Sequence, residues 1–334
     1  MLKYILKRIA QSLLILVGVS FIIYVLIRCM PVSYIDAKIA AINQGGATVP
    51  EETIKSMKEA YGLDSGIIDG YGNWLKNLFW DEEEQRLTFD LGDSFKYGIP
   101  VAEKIKESMG VSFAVALIAT IFEFMIAIPL GITAATHQYS FRDYLVTILV
   151  MIGISLPTFF FGQILKNLFA MQLGWFPPSG LIDATQDLSG IDMIIDYLKH
   201  LFIPVLTVVI LSIGGRMRMT RTNMLEVMSS DYIRTARAKG LKERTVVYKH
   251  AFRNTLIPLV TSLAGLLPSL FSGAIITEQV FDLPGIGNIA LGAMMEADIP
   301  FIMGYNMFLA LLSVIGVLLA DLMYAVVDPR VKLK

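Results

Sequence analysis

Six separate apolar runs, most of them long enough to cross a bilayer, leave this chain few folds to choose from. They cover roughly Ile9–Met30, Gly110–Thr136, Tyr144–Met171, His200–Ile213, Leu256–Thr277 and Tyr305–Val327. A hydrocarbon core about 30 Å thick takes about 20 helical residues to span, and every backbone amide inside it must find its partner within the protein, so such runs fold as helices. The fourth run is short and is expected to continue through Gly214-Gly215 toward Met219. With 55% hydrophobic residues and a mean hydropathy of +0.61 over 334 residues, the chain is too apolar for a water-soluble domain. The expectation is an all-α integral membrane protein: six transmembrane helices in a single domain, residues 1–334.

Charge decides which way the spans run. Segments assigned to the inside carry about 17 Lys/Arg in about 60 residues, against about 9 in about 130 assigned to the outside, so both termini are expected in the cytoplasm. Residues 31–107 then form an extracytoplasmic segment, with a helix expected from Glu51 to Tyr61 after Pro50. Residues 216–253 form a cytoplasmic loop. The first run is about 20 residues, ends at Arg28-Cys29-Met30-Pro31 and lacks a small-residue cleavage site, so it is expected to be retained as a span.

Several function classes are excluded or disfavoured. One cysteine, Cys29, allows neither a disulfide framework nor a cysteine metal cluster, and His137, His200 and His250 are too far apart for a local metal motif. No Gly-x-x-x-x-Gly-Lys-Ser/Thr loop occurs, so this chain is not expected to hydrolyse ATP itself. An intramembrane serine protease would need a Gly-x-Ser-Gly element, whereas Phe271-Ser272-Gly273 follows Leu270. A self-sufficient secondary transporter would need paired intramembrane charges. Glu123, Lys166 and Asp321 are the ionisable residues at membrane depth, where a central charge costs about 2.5–3.5 kcal/mol, and each must face protein or water. Pro129, Pro157, Pro258 and Pro268 are each expected to interrupt a helix's hydrogen-bond ladder at that depth.

The basic interval between the fourth and fifth runs has internal order. Tyr232, Ile233 and Ala236 share one helical face before Gly240, and Val246, Val247 and Ala251 share one after it, which predicts two short amphipathic helices joined at a glycine. Arg234-Thr235-Ala236, then Arg237-Ala238-Lys239, then Gly240-Leu241 resembles the cytoplasmic coupling loop of ABC importer permeases, whose general pattern is Glu-Ala-Ala, three residues, Gly. The acidic residue of that pattern is missing here and the proline comes late, at Pro258. With Arg253-Asn254 and Ile257-Pro258, the stretch resembles the dipeptide/oligopeptide/nickel branch of the family. Glu278-Gln-Val-Phe281-Asp-Leu-Pro284-Gly285-Ile-Gly287 resembles the sequence following the fifth span in that branch, and a positive φ is expected at the Pro-Gly turn. After it, Ile286, Ile289, Ala290, Ala293 and Met294 fall at helical spacing. Gly62-Leu63-Asp64, Asp90-Leu91-Gly92 with Ser94, Ile99-Pro100-Val101 and the stretch from Ala320 to Arg330 complete the likeness.

The resemblance implies a type I importer permease. It implies a second homologous permease, two cytoplasmic ATPase subunits that bind ATP and Mg, and an extracytoplasmic binding protein that selects oligopeptides first, with dipeptides or nickel chelates behind. Residues 234–241 would couple to an ATPase, through close packing at Ala236 and Ala238 and through Arg234, Arg237 and Lys239. Glu278, Phe281, Pro284, Gly285 and Gly287 would line the outer gate.

Overall fold

The computed structural model describes residues 2–29, 66–81, 86–87, 89–183, 185, 188–262, 265–296 and 298–327. The expected helix Glu51–Tyr61, the Gly62-Leu63-Asp64 landmark and the final residues of the Ala320–Arg330 stretch lie outside them. The described residues are mostly helical, with one two-residue antiparallel pairing of β1 (Trp80–Asp81) and β2 (Arg86–Leu87). They fall into two compact units, Met1–Gly110 with Ile286–Ile315, and Val111–Gly285 with Gly316–Leu333.

In the first unit α1 (Leu2–Arg28) packs against α2 (Ile67–Phe79). Gly70, Trp74 and Leu78 recur every four residues on α2 and are its buried face. The Tyr71 hydroxyl donates to the Val17 carbonyl at 3.1 Å and lies 2.8 Å from the Ser20 hydroxyl, tying the two helices by polar contacts beside the Tyr24, Tyr71 and Trp74 rings. The same core takes in Leu91 and Val101, and Ile286, Ala290 and Ala293 from α12 (Ile286–Met295). The helix expected after the Pro-Gly turn is therefore present, although Met294 is exposed.

The Asp90–Val101 landmarks form a latch. Asp298, fully buried, caps α13 (Ile299–Val327) by accepting from Phe301 N at 3.3 Å, the usual reach from cap to third residue. Its carboxylate also accepts from Ser94 Oγ, Phe95 N and Lys96 N at 2.5, 3.2 and 3.1 Å. Lys96 pairs with Glu296 at 2.7 Å, and Tyr97 donates to Ile289 O at 2.9 Å. Burial raises the Tyr97 phenol pKa. Removing the carboxylate leaves buried donors unpaired, so Asp298→Ala is expected to cost about 3 kcal/mol. That loss is to be read as a lower unfolding temperature in detergent, with new protease sensitivity near residues 94–98.

The second unit begins within α3 (Val101–Thr136) and contains α4 (Phe141–Ser155), α5 (Thr158–Leu165), a wide helical turn Lys166–Gln172 and α6 (Ile191–Met228). Next come α7 (Asp231–Ala238), α8 (Glu243–Thr245), a second wide turn Val246–Phe252, α9 (Arg253–Ser262), α10 (Leu266–Phe271) and α11 (Ile275–Val280). Helices α3, α6 and the stretch Ile299–Asp321 are long and apolar enough to cross a membrane, and Phe141–Ser155 with Thr158–Gln172 make a fourth candidate bent by 102°. The first run holds a shorter apolar helix, Leu13–Leu26, and the fifth is carried by the short helices α9 to α11.

The prolines take different places on their helices. Only Pro157 separates two helices; Pro129 sits inside unbroken α3, Pro258 inside α9 and Pro268 inside α10. Pro129 removes one ladder hydrogen bond from a long helix that carries through it, whereas Pro268 lies in the first turn of its helix, where the missing N–H costs no ladder bond. As expected, α6 runs on past Gly214-Gly215 and Met219, to Met228. Its 38 residues reach about 57 Å, well beyond a hydrocarbon core, so Arg216, Arg218 and Arg221 stand on a helix.

Candidate functional site

The basic arm after α6 has the predicted form. Helix α7 stops at Ala238, Gly240 takes φ +75°, and the chain re-enters helix at Glu243. A side chain there would meet nothing of this chain within 4 Å, so within the chain glycine is needed for its backbone conformation. Arg237 closes the break with two bonds to Glu243, at 2.7 and 3.2 Å, and this contact holds the Glu243 carboxyl below its usual pKa.

The arm's apolar face looks inward. Ile233, Ala236, Val246, Val247 and Ala251 are buried together with Ile132 and Ala135 of α3 and Met224 of α6. Two expectations are corrected. Tyr232 is 47% exposed and does not share that face. Ala236 is small because it packs on this chain's own helices, so close approach by another protein is not what its size serves. Arg237 is engaged by Glu243, and Arg234 lies 3.5 Å from Asp231 with both side chains largely exposed; Lys239 has no ion pair among the described residues. Thr235, Ala238, Lys239, Gly240 and Leu241 are exposed.

Asp143 anchors α6 to the start of α4. Its two oxygens each accept from Arg221 at 2.9 Å, Tyr139 N donates to one at 3.1 Å, and the Asp143 amide donates to the Ser140 cap. Sequence reading missed this pair because each partner looks like an ordinary end-of-span charge.

The segment after α10 is organised by Glu278. This residue is fully buried, and one carboxylate oxygen accepts from Ser112 Oγ at 2.7 Å and from Ala274 N at 3.0 Å. Phe281 and Leu283 are buried behind it, and their turn is held by Lys166, which donates to Val280 O at 2.9 Å, and by Gly180 N, which donates to Phe281 O at 2.9 Å. The positive φ expected at Gly285 occurs instead at Asp282. Gly285 is required by contact: an added Cβ would run into the Glu278 carboxyl carbon and lie 2.5 and 2.6 Å from its oxygens. Pro284 is exposed, and Gly287 is buried in the first turn of α12.

Glu278 also fixes the wall of two cavities. One, of about 200 Å³, is lined by residues including Thr120, Glu123, Ser212, Arg216, Ser269 and Ala274. Another, of about 460 Å³, shares Val208, Ser212, Gly273 and Ala274 with it and adds Thr158 and Thr277. Glu123, singled out by its depth, pairs with Arg216 Nε at 3.0 Å, and the guanidinium lies 4.5 Å from the Phe124 ring centroid. Arg216 was missed because it opens a run of arginines that reads as the edge of a loop.

Known proteins resemble the chain from end to end. Residues 127–333 match the model of the binding-protein-dependent transport system inner membrane component, and residues 1–117 match the model of the N-terminal part of such components. The oligopeptide transport system permease protein AppB of Bacillus subtilis is 35% identical over 337 residues, 99% of this chain and 100% of that one. The dipeptide transport system permease protein DppB of Alkalihalophilus pseudofirmus is 32% identical over 99% of this chain and 100% of that one. A chain of the MetNI methionine ABC transporter, solved in an inward-facing conformation, superposes with a TM-score of 0.53 at 17% identity, over 67% of this chain and 96% of that one, a likeness of fold. Apolar membrane-length helices, a glycine-broken basic arm seated on their ends and two family matches lead to one conclusion: this multi-pass membrane protein belongs to the family of binding-protein-dependent transport system inner membrane components.

Proposed function

We propose that the chain is a permease subunit of an ATP-driven importer of peptides, oligopeptides foremost and dipeptides next. The end-to-end likeness to AppB and DppB carries this reading. In it, six spans bring both termini to the cytoplasm of a bacterial or archaeal plasma membrane, with the first and fifth apolar runs as the two remaining spans. A second homologous permease completes the pathway, an extracytoplasmic binding protein delivers cargo, and two cytoplasmic ATPase subunits hold ATP and Mg. The arm supports the coupling role of residues 234–241, because its buried face fixes it to α3 and α6 while Tyr232, Leu241, Tyr248 and Lys239 stay exposed. Exposed apolar side chains next to a cation with no ion pair among the described residues suit a partner protein better than water. The Glu278 to Gly287 stretch is the outer gate of this reading.

The test is reconstitution of the purified complex with its binding protein in liposomes. Peptide uptake is expected to require ATP and to survive collapse of ion gradients; uptake that follows an ion gradient without ATP would refute the importer. In intact cells, Lys239→Cys is expected to resist an impermeant thiol reagent, and its labelling from outside would overturn the orientation.

A further inference from the structure

The Glu123–Arg216 pair lines a cavity, and its surroundings are unlike those of a sealed structural salt bridge. The two side chains are 11% and 20% exposed, on a wall otherwise made largely of Val115, Ala116, Ala119, Val208 and Leu266. Thr120 and Ser212 add hydroxyls that have no hydrogen-bond partner among the described residues. A few convergent polar groups in an apolar wall is the usual make-up of a small-ligand site. Holding two charges there is costly, because replacing such a pair by apolar residues is often neutral or stabilising.

We propose that this pair receives the charged termini of a peptide in transit. It rests on the peptide-import reading above. An α-ammonium bonds to the Glu123 carboxylate and the α-carboxylate bonds to the Arg216 guanidinium, so the incoming zwitterion replaces each partner's counter-charge as the pair opens. No net charge is added to the low-dielectric cavity at any stage. The Thr120 and Ser212 hydroxyls take up backbone amides or carbonyls. Ser212 also lines the larger cavity, so a peptide longer than its two termini extends into that space, and the site selects for charge without selecting for side-chain identity.

The experiment compares uptake of a free tripeptide with uptake of the same peptide acetylated at its amino terminus, in liposomes carrying the full complex and its binding protein. The binding protein is common to every sample, so a change in the ratio between the two peptides reports the permease. Glu123→Gln keeps the size and a hydrogen bond to Arg216, and is expected to lower uptake of the free peptide about tenfold while sparing the acetylated one, with the complex still assembled in the membrane. Failure of Glu123→Gln to assemble, equal loss for both peptides, or unchanged uptake of both would each assign the pair to folding and overturn the proposal. No uptake of either peptide by the wild-type complex would instead defeat the peptide reading on which it rests.

Discussion

Gly285→Val is expected to reduce uptake by about tenfold or more, whereas Gly292→Ala should stay within about twofold of wild type. A Cβ at 285 meets the Glu278 carboxyl, which is fully buried and committed to Ser112 and to Ala274 N. To make room, the carboxylate must leave Ser112 Oγ and Ala274 N, and buried donors stripped of an acceptor cost about 1–3 kcal/mol each. The consequence reaches the cavities, because Ala274 lines both of them and loses the bond that fixes it. At 292 the Cβ meets Lys96 Nζ at 2.8 Å, the end of a flexible side chain that can swing away, and the Tyr97 hydroxyl at 3.0 Å, which must give by only a few tenths of an ångström. Ser112→Ala removes one of the two donors and should fall between these variants. Uptake and the unfolding temperature of the purified complex decide the matter: wild-type transport by Gly285→Val would show that the Glu278 contacts do not hold the cavity wall.

The parts of this fold legible in the sequence are those governed by short-range periodicity. The apolar runs gave helices, the spacing of Ile233, Ala236, Val246, Val247 and Ala251 gave the buried side of the arm, and Gly240 gave its break. What failed needed knowledge of a neighbour. Tyr232 adjoins Ile233 in sequence, and only the position of Met224 and Ile132 decides which of the two turns inward. Glu123 could be marked as costly from depth alone, yet its partner lies 93 residues away on another helix. Gly285 could be marked as necessary, but the cause is the carboxylate seven positions back and not its own backbone angle. Proline, too, is a local signal with a tertiary outcome, since the same residue type lies inside α3 at Pro129 and stands at a 102° bend at Pro157.

Because the arm is seated on the ends of α3 and α6, enlarging its underside should uncouple the complex without touching its outer surface. Ala236→Trp forces an indole into a cluster already filled by Ile132, Ala135, Met224, Val246, Val247 and Ala251, and overpacking of this kind costs about 1–3 kcal/mol. The arm must lift or tilt, carrying Lys239 and Leu241 with it. Gly240→Leu acts by a different route, since no atom lies within 4 Å but a β-carbon at φ +75° costs about 1–2 kcal/mol. Gly240→Asn, whose side chain tolerates the left-handed region, should recover most of that loss. Lys239→Ala removes an exposed cation and should weaken coupling only modestly, by less than about 1 kcal/mol. Stimulated ATP hydrolysis and uptake, measured in the same liposomes with loaded binding protein, should fall together in Ala236→Trp and Gly240→Leu while the amount of complex in the membrane is unchanged. If Ala236→Trp and Gly240→Leu keep both activities and Lys239→Ala loses them, charge alone links the arm to the ATPase and its seating on α3 and α6 is irrelevant to coupling.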